Sequence, residues 1–322
     1  MEKNKLKEIL KTALISRSLD ERIWMLNRQG RAAIAASGQG HEISQLGCVE
    51  ALDSRKDHFL IYYRQFTLTL ALGTTPEEQL RNFLAKEGDI MSGARQFPLH
   101  GSHPRVDLFS FSNVVATQLP QAVGVALADK MNNKDSVTIV FFGDGAASQG
   151  DCHEAMNFAS IHKLPVIFFC ENNGYAISVP LEKQMNIESI ASRSTAYNMP
   201  GVQVDGTDFF AVYDVTKEAA NLAREGGGPT LIESKVERLL PHTTDDDHTR
   251  YRSESDIEFM SQRDPIPIFS KKLIDMGIVT EDEIVQLEKE ATLVINQATE
   301  KVEDEPFPSI DNMLLHSDLN KD

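Results

Sequence analysis

Apolar residues follow two different spacings along the chain, and these spacings predict alternating helices and buried strands. Near the amino terminus apolar residues recur every three or four positions, at Leu6, Ile9, Leu10, Ala13 and Leu14. This spacing predicts an amphipathic helical arm over residues 1–30 that packs on the core or on another subunit. By contrast, the unbroken apolar runs 137–142 and 165–170 are typical of strands buried in a parallel sheet.

Taken in order, these patterns predict a regular succession of elements. Helices are predicted at 41–52, 76–86, 114–130, 150–162 and 208–224, and strands at 59–63, 137–142, 165–170, 202–204 and 230–236. Strands and helices that alternate in this way form right-handed βαβ units, whose strand ends share one edge of the sheet. The predicted fold class is therefore α/β, a doubly wound, mostly parallel sheet with helices on both faces.

Two long stretches lack any periodicity. Residues 88–106 are rich in glycine and polar residues and include His100. Such a stretch inside a compact domain is more often functional than idle. Residues 239–256 are polar and acidic, which predicts a second long loop.

Helical spacing returns at the end of the chain. Helices are predicted at 266–276 and 281–303, the second one entered through a capping box of Thr280 and Glu283. No internal repeat or low-complexity linker divides the chain. We therefore expect one domain over 1–322, made of the arm, an α/β core at about 55–238, the loop 239–256 and C-terminal helices within 257–322.

Charge and cysteine content narrow the class of partner. Aspartate and glutamate number 48 against 32 lysines and arginines, a formal charge of -16 that argues against nucleic-acid or anionic membrane partners. An anionic ligand would need a local cationic pocket. The three cysteines, Cys48, Cys152 and Cys170, have no CxxC spacing and are expected to be buried reduced thiols, as in a cytoplasmic protein. We see neither a signal peptide nor a run near the ~20 apolar residues of a membrane span.

Candidate chemistry lies at the ends of two predicted strands. Gly143-Asp144-Gly145 follows one buried strand, and Asn172-Asn173 follows the next. Ligands of an open parallel sheet collect at the carboxyl ends of its strands. The Asp144 carboxylate, the Asn173 amide oxygen and the Tyr175 carbonyl are oxygen donors of the kind Mg²⁺ prefers, and glycines let backbone amides approach an anion. Gly-Asp-Gly alone is usually a turn, but this placement favours a metal and diphosphate site.

These residues resemble a known family. Gly143-Asp-Gly, 26 residues and Asn172-Asn173 match the thiamine diphosphate motif. The stretch 143–178 is similar to the alpha subunit of the dehydrogenase component of 2-oxo acid dehydrogenase complexes, and the similarity extends from about 28 to 308. Segments 95–100 and 116–124 resemble branched-chain enzymes more than pyruvate enzymes.

The resemblance implies a reaction and a set of partners. The reaction is oxidative decarboxylation of a branched-chain 2-oxo acid such as 3-methyl-2-oxobutanoate, with acyl transfer to the lipoyl group of a dihydrolipoyl acyltransferase. The alternatives are a pyruvate or acetoin dehydrogenase alpha subunit. Because nothing here is long enough to be the second domain that such enzymes need, the resemblance implies a separate beta subunit and an alpha-two beta-two heterotetramer. The chain alone is then expected to be inactive.

The resemblance also implies roles for individual residues. Asp144, Asn173 and the carbonyl of Tyr175 match the Mg²⁺ ligands. The matching cofactor-binding positions are Tyr63, Arg64, Asn113, Val115, Asp144, Gly145, Ala146, Asn173, Tyr175 and His242. Tyr63 and Arg64 match a pair near the diphosphate. Asn113 and Val115 match residues at the aminopyrimidine, although the family more often has Ser and Leu there.

Two histidines and a cation site complete the implied set. His242 matches the histidine of a flexible active-site loop, 239–256, and a near-neutral pKa would suit it to acid/base work. His100 matches a further active-site histidine. Ser112, Val114, Thr117 and Gln118 match the K⁺ site of branched-chain members, which have Pro where this chain has Val114. The family often reads His-His-Ser at the loop, whereas this chain reads Pro-His242-Thr, so regulation by serine phosphorylation does not transfer.

Two other classes of protein stay open on sequence grounds. An NAD-dependent or nucleotide-binding Rossmann protein would share the fold class, but the chain has neither GxGxxG after a strand nor a Walker A sequence. A noncatalytic thiamine-binding regulatory subunit is disfavoured by the presence of His242 beside the cofactor residues.

Overall fold

The computed structural model describes residues 1–312. Over that range the strands are β1 His58–Leu60, β2 Leu108–Phe109, β3 Thr138–Gly143, β4 Val166–Asn172, β5 Tyr175–Ala176, β6 Val179–Pro180, β7 Gly201–Asp205 and β8 Thr230–Lys235. Six of these form one parallel sheet in the order β2-β1-β3-β4-β8-β7, and β5 and β6 form an antiparallel hairpin. The chain reverses its direction of winding between β1 and β3, where ligands of such sheets bind.

Helices cover both faces of this sheet. Within the described range they are α1 Lys3–Arg28, α2 Glu42–Glu50, α3 Phe66–Ala71, α4 Pro76–Phe83, α5 Gln118–Met131, α6 Gly150–Ile161, α7 Leu181–Gln184, α8 Phe209–Arg224, α9 Glu254–Gln262, α10 Pro265–Asp275 and α11 Glu281–Glu303. On β3, Ile139 and Phe141 face a core shared with α1–α4, α8 and α11. Val140 and Phe142 point the other way, toward α5 and α6. The predicted doubly wound α/β fold is confirmed.

The amino-terminal arm packs on the carboxyl-terminal helices of its own chain. Its predicted apolar stripe, from Leu6 to Leu14, is buried against Phe269 and Leu273 of α10 and Ala291 of α11. The Thr280 capping box at the start of α11 forms as predicted. The arm was expected to pack on the core or on another subunit, and its apolar stripe packs on the core.

Short elements account for most differences from the sequence predictions. The strand predicted at 59–63 ends at Leu60, and the helix predicted from 114 begins at Gln118. The elements α3, α7, α9, β2, β5 and β6 were not predicted. A strand as short as β2 is defined by its pairing with β1 rather than by its own sequence. Of the predicted C-terminal segment, residues 313–322 lie outside the described residues.

The helices carry no candidate for a bilayer span. In the part of the chain that the structure describes, none combines the necessary length with the necessary apolarity.

Candidate active site

A cavity of about 370 Å³ opens at the carboxyl ends of β1, β3 and β4. All ten residues that the sequence predicted to bind cofactor line it, and they are Tyr63, Arg64, Asn113, Val115, Asp144, Gly145, Ala146, Asn173, Tyr175 and His242. They come from segments as far apart in sequence as 63 and 242, which the parallel sheet brings to one edge. Their chemical roles remain predictions.

Asp144 is a buried carboxylate without a cationic partner. It directly follows β3 and is 1% exposed. Burial raises its pKa, against hydrogen bonds from Gln184, from its own amide and from the amide of Asn173. Gln184 Nε2 donates to Asp144 Oδ2 over 2.9 Å. Through this bond Gln184 belongs to the site, and sequence reasoning missed it. The Oε1 atom of Gln184 is buried and has no hydrogen-bond partner among the described residues.

The two adjacent asparagines have different surroundings. Asn172 Nδ2 donates to Glu233 Oε1 on β8 over 2.6 Å, so its side chain is held within the sheet. Asn173 lines the cavity, and its Oδ1 accepts from the Tyr175 amide at 3.2 Å. Of the two asparagines, Asn173 thus lines the cavity together with Asp144, and its role as a metal ligand stays a prediction.

Close packing at this edge of the sheet leaves no room for a side chain at position 145, where the chain has Gly145. A Cβ on residue 145 would lie 2.9 Å from the Cβ of Ala176, in the hairpin of β5 and β6. The hairpin that follows Asn173 is thus seated directly on the Gly-Asp-Gly turn. Its contact places Tyr175 and Asp144 around the same cavity.

Arg64 is a buried cation at the opposite wall of the cavity. It is 2% exposed, and its Nη1 donates to the carbonyl of Ser37 over 2.7 Å. Its Nη2 lies 2.9 Å from Nδ1 of His242 and donates to the His242 carbonyl at 3.2 Å. Among residues 1–312 it has no carboxylate partner. A buried charge left unpaired in this way is costly unless an anion binds there.

Arg238 is a second buried cation and was not predicted from sequence. It is 0% exposed, and its Nη2 donates to the Ile177 carbonyl and to the Tyr251 hydroxyl, each at 2.9 Å. Its Nε and Nη1 are buried without partners. Burial and the charge of Arg64 lower its pKa to about 10. An arginine just after a buried strand, as at Arg64, was the signal in the sequence.

His242 lies near both of these cations, in the loop that follows β8. Asp246 Oδ2 accepts from the His242 amide at 2.7 Å and also from the Tyr251 hydroxyl. Burial, followed by the charges of Arg64 and Arg238, lowers the His242 pKa to about 3. The predicted near-neutral pKa is therefore wrong for this form of the protein. The neutral ring accepts from Arg64 at Nδ1, so its proton is on Nε2.

A second cavity, of about 270 Å³, adjoins the first and shares Tyr63, Asn113 and His242 with it. Its other walls are mainly apolar, and they include Ile34, Ala35, Phe83, Phe97 and Pro98. His100, the second predicted catalytic histidine, lines this cavity. Its Nδ1 lies 2.9 Å from the Pro98 carbonyl, which places the ring proton there, and its buried Nε2 has no partner.

Three of the eight non-glycine residues with a positive φ in the described range lie at or next to the two cavities. Ala116 has a φ of 79° and Ile177 a φ of 57°, and both residues line the first cavity. Leu99, with a φ of 63°, directly precedes His100. Side chains with a Cβ rarely adopt this region, and such conformations cluster at functional sites.

The residues matched to a K⁺ site lie in the turn before α5 and, for Gln118, at the first position of that helix. Val114 donates its amide to Ser112 Oγ at 3.0 Å, and its carbonyl accepts from the Thr117 hydroxyl at 2.9 Å. Gln118 donates to the Phe141 carbonyl on β3. Ser112 and Gln118 line the first cavity, whereas Val114 is 64% exposed. The K⁺ assignment stays a prediction.

The donor set suits a divalent metal bound together with an anionic ligand. No group of three or more His, Cys, Asp or Glu side chains that could hold a metal occurs in residues 1–312. Asp144 offers a carboxylate, Asn173 an amide oxygen and Tyr175 a carbonyl. An octahedral metal ion held by three such donors could also bind oxygens of a ligand. The unpaired guanidinium group of Arg64 supplies the matching positive charge. The residues present therefore fit Mg²⁺ and a diphosphate.

Fold and site together define a class: an α/β protein with a cavity where the winding of a parallel sheet reverses, lined by residues that fit a metal ion and a diphosphate. The chain belongs to the dehydrogenase E1 component family, whose model matches residues 10–311. This family depends on thiamine diphosphate, as the sequence resemblance implied.

Three relatives are similar in sequence to almost the whole chain. It is 43% identical to the 2-oxoisovalerate dehydrogenase subunit alpha of Bacillus subtilis, over 95% of this chain and 93% of that protein. It is 38% identical to the 3-methyl-2-oxobutanoate dehydrogenase subunit alpha of Mycobacterium tuberculosis, over 93% of this chain and 79% of that protein. The pyruvate dehydrogenase E1 component subunit alpha of Staphylococcus aureus is 37% identical, over 95% and 80%.

Proposed function

We propose that this chain is the alpha subunit of a branched-chain 2-oxo acid dehydrogenase. With a beta subunit it would decarboxylate 3-methyl-2-oxobutanoate oxidatively, using thiamine diphosphate and Mg²⁺. The acyl group would pass to the lipoyl group of a dihydrolipoyl acyltransferase. The family, and the names of the relatives from Bacillus subtilis and Mycobacterium tuberculosis, support this proposal.

The residues of the first cavity have distinct tasks in this proposal. Asp144, Asn173 and the carbonyl of Tyr175 would hold Mg²⁺, because they offer the oxygen donors that this ion prefers. Arg64 binds the diphosphate, because its guanidinium fork matches phosphate oxygens and lacks an internal counter-charge. Bound thiamine diphosphate supplies the nucleophilic carbon and the electron sink that decarboxylation requires.

His242 holds and moves a proton beside the reacting atoms. In the structure its imidazole is neutral, with Nδ1 engaged by Arg64 and the proton on Nε2. Burial is the first cause of the low His242 pKa, and the charges of Arg64 and Arg238 follow. A diphosphate anion next to Arg64 would offset part of that positive charge, so the His242 pKa should rise when the cofactor binds.

We expect His242→Ala to leave thiamine diphosphate affinity nearly intact and to slow acyl transfer to a lipoyl acceptor by about 10²–10⁴-fold, the range of general acid–base catalysis. Calorimetry with the cofactor and single-turnover acylation of a lipoyl domain measure the two effects separately. Acyl transfer at the normal rate in the variant would remove His242 from the mechanism.

In this proposal the second cavity selects between substrates. It adjoins the cofactor cavity at His242, and apolar side chains such as Ile34, Phe83 and Phe97 line it. A branched alkyl group buries more apolar surface there than the methyl group of pyruvate does. Because each methylene is worth about 1–3 kcal/mol in such pockets, this wall would favour the branched substrate. The pyruvate-type relative, 37% identical, supports a pyruvate dehydrogenase alpha subunit as the second candidate.

Apolar residues around the mouth of the first cavity support a beta subunit. Val115 and Ile177 line the cavity and are 47% and 56% exposed, and Val114 beside them is 64% exposed. Exposed apolar clusters of this kind mark protein interfaces. In the alpha-two beta-two assembly that we propose, the active site lies between an alpha and a beta subunit, and the acyltransferase core binds the assembled enzyme.

Reconstitution tests the proposal. The full chain is mixed with candidate beta subunits, and kcat/KM is measured for 3-methyl-2-oxobutanoate and for pyruvate with thiamine diphosphate and Mg²⁺. We expect activity only in the mixture and at least a tenfold preference for the branched acid. A preference for pyruvate would select the second candidate, and turnover by the single chain would contradict the need for a beta subunit.

A further inference from the structure

A buried carboxylate of the amino-terminal arm reaches toward the site from outside it. Asp20 of α1 is 2% exposed. Its Oδ2 accepts two hydrogen bonds, from Ser37 Oγ at 2.8 Å and from the amide of Gly38 at 2.7 Å. Its Oδ1 is buried without a partner. Both donors belong to the short segment between α1 and α2, so the carboxylate fixes that segment.

The fixed segment lies directly against Arg64. The carbonyl of Ser37 accepts from Arg64 Nη1 over 2.7 Å. Gly38 touches the backbone of the same arginine, because a Cβ on residue 38 would lie 2.7 Å from the Arg64 carbonyl oxygen. One peptide unit is therefore held by Asp20 on one side and holds the Arg64 guanidinium group on the other.

Few other contacts orient this guanidinium group. Beyond the Ser37 carbonyl, its hydrogen-bond partners in residues 1–312 are the Nδ1 and the carbonyl of His242, in a separate loop. The Ser37 carbonyl thus holds Nη1, while His242 holds Nη2. A shift of residues 37 and 38 would change the direction of Arg64.

Stability alone gives little reason to retain a charge at this place. Within residues 1–312 Asp20 makes no direct ion pair, and burial raises its pKa to about 7, against the bonds from Ser37 and Gly38. A hydrogen bond between two neutral side chains would join two elements at a lower desolvation cost than a carboxylate does. Ser16, one turn earlier in α1, shows such a bond, because its hydroxyl lies 2.7 Å from that of Thr67 in α3.

We propose that Asp20 is a positioning residue for Arg64: it anchors the Ser37–Gly38 peptide, whose carbonyl aims the guanidinium group at the cofactor diphosphate. The inference rests on the proposed function in one respect, the role of Arg64 as a diphosphate ligand. It assigns to the amino-terminal arm a part in cofactor binding that acts through one backbone carbonyl.

A double-mutant cycle tests it in the assembled enzyme. Dissociation constants for thiamine diphosphate with Mg²⁺ are measured by calorimetry for the wild type, Asp20→Ala, Arg64→Ala and the double variant. We expect Asp20→Ala to raise Kd about tenfold, comparable to the loss of one hydrogen bond to a charged group. In the Arg64→Ala background the same change should alter Kd less than twofold, because coupled residues are not additive.

Further measurements separate positioning from general support of the fold. Asp20→Ala should keep kcat within about twofold at saturating cofactor, since the defect is in binding rather than in chemistry. Ser16→Ala, which also removes a buried hydrogen bond of α1, should lower the melting temperature without changing Kd. Asp20→Asn keeps an acceptor of the same size and should recover most of the affinity.

Three results would overturn the inference. Asp20→Ala with normal cofactor affinity would remove the effect itself, and an equal rise of Kd in both backgrounds would show that Asp20 does not act through Arg64. Arg64→Ala with normal affinity would instead overturn the diphosphate assignment, and this inference with it. If Asp20→Ala does not assemble, Asp20→Asn enters the same cycle, with an expected rise of about two- to threefold that again vanishes without Arg64.

Discussion

The buried charges named here differ between the two ends of the parallel sheet in whether they form ion pairs. At the carboxyl ends of the strands, Asp144, Arg64 and Arg238 are buried without an ion pair among the described residues. At the amino ends, Arg224 pairs with the fully buried Asp57 at 2.6 Å, and His58 lies between two aspartates. Removing one partner of a buried pair leaves an uncompensated charge in the fold, whereas a buried charge that has no partner at a cavity is the arrangement expected of a ligand site.

Removal of Asp144 should give the largest contrast between the two ends. We expect Asp144→Asn to abolish detectable Mg²⁺-dependent binding of thiamine diphosphate. Because burial raises the Asp144 pKa, ionisation costs stability as the pH rises through that pKa, so at pH 7 the variant should melt at the same temperature or higher without ligand. Calorimetry and thermal unfolding measure the two effects, with Asp151→Asn on α6 as the control. Normal cofactor affinity in Asp144→Asn would refute the metal assignment.

Asp57→Ala should have the opposite effect. It removes the partner of Arg224 and the acceptor of the Val137 amide, so the free energy of unfolding should fall by about 3–5 kcal/mol. Cofactor affinity of the folded enzyme should not change. Denaturant titration checks the loss, and Asp53→Ala, which breaks an exposed pair with Arg55, should leave the melting temperature nearly unchanged. A weakened cofactor affinity in Asp57→Ala would contradict the separation of the two ends.

Gln184→Ala should have an intermediate effect that is confined to the site. Gln184 donates to the carboxylate of Asp144, and residues that orient a metal ligand are typically worth about 10–100-fold in metal affinity. We expect a loss of that order in a Mg²⁺ titration of the enzyme with cofactor. Lys183→Ala, an exposed neighbour on α7, is the matched control. Equal affinities in the two variants would exclude Gln184 from the metal site.

The smallest effect should be a pH dependence of stability at the amino end. The bond to Asp107 is the main cause that raises the His58 pKa, so the folded state binds the proton more tightly than the unfolded chain. This stabilisation is complete below pH 6.5 and is lost as the pH rises through the folded pKa. The melting temperatures of wild type and His58→Gln should differ more at pH 6 than at pH 8, while cofactor affinity responds to neither. A difference that does not vary with pH would contradict this interpretation.

The sequence predicted the fold where periodicity was long. The α11 helix carries its own start signal at Thr280, and the strands β3 and β4 are unbroken apolar runs that only a sheet covered on both faces accommodates. Short elements were missed because pairing, not propensity, defines them, as with β2 and with the hairpin of β5 and β6.

The candidate site was predictable where its residues follow strand ends in a recognisable motif. Asp144 and Asn173 lie at one edge of the sheet, as their spacing predicted. Gln184 and Asp20 carry no local signal, because each reaches the site through partners 40 and 18 residues away along the chain. The near-neutral pKa predicted for His242 was wrong because the sequence does not show that its ring is buried, nor that Arg64 and Arg238 both lie near it.

The sequence by itself determined the α/β class, the edge of the sheet that carries the chemistry and the family to which the chain belongs. These follow from local apolar patterns and from residues close together in the chain. Only the tertiary structure decided which charges lack a partner, since burial and pairing depend on segments brought together from the whole chain. For that reason Arg64, a surface charge by the usual expectation for its type, is a buried cation in the wall of the candidate site.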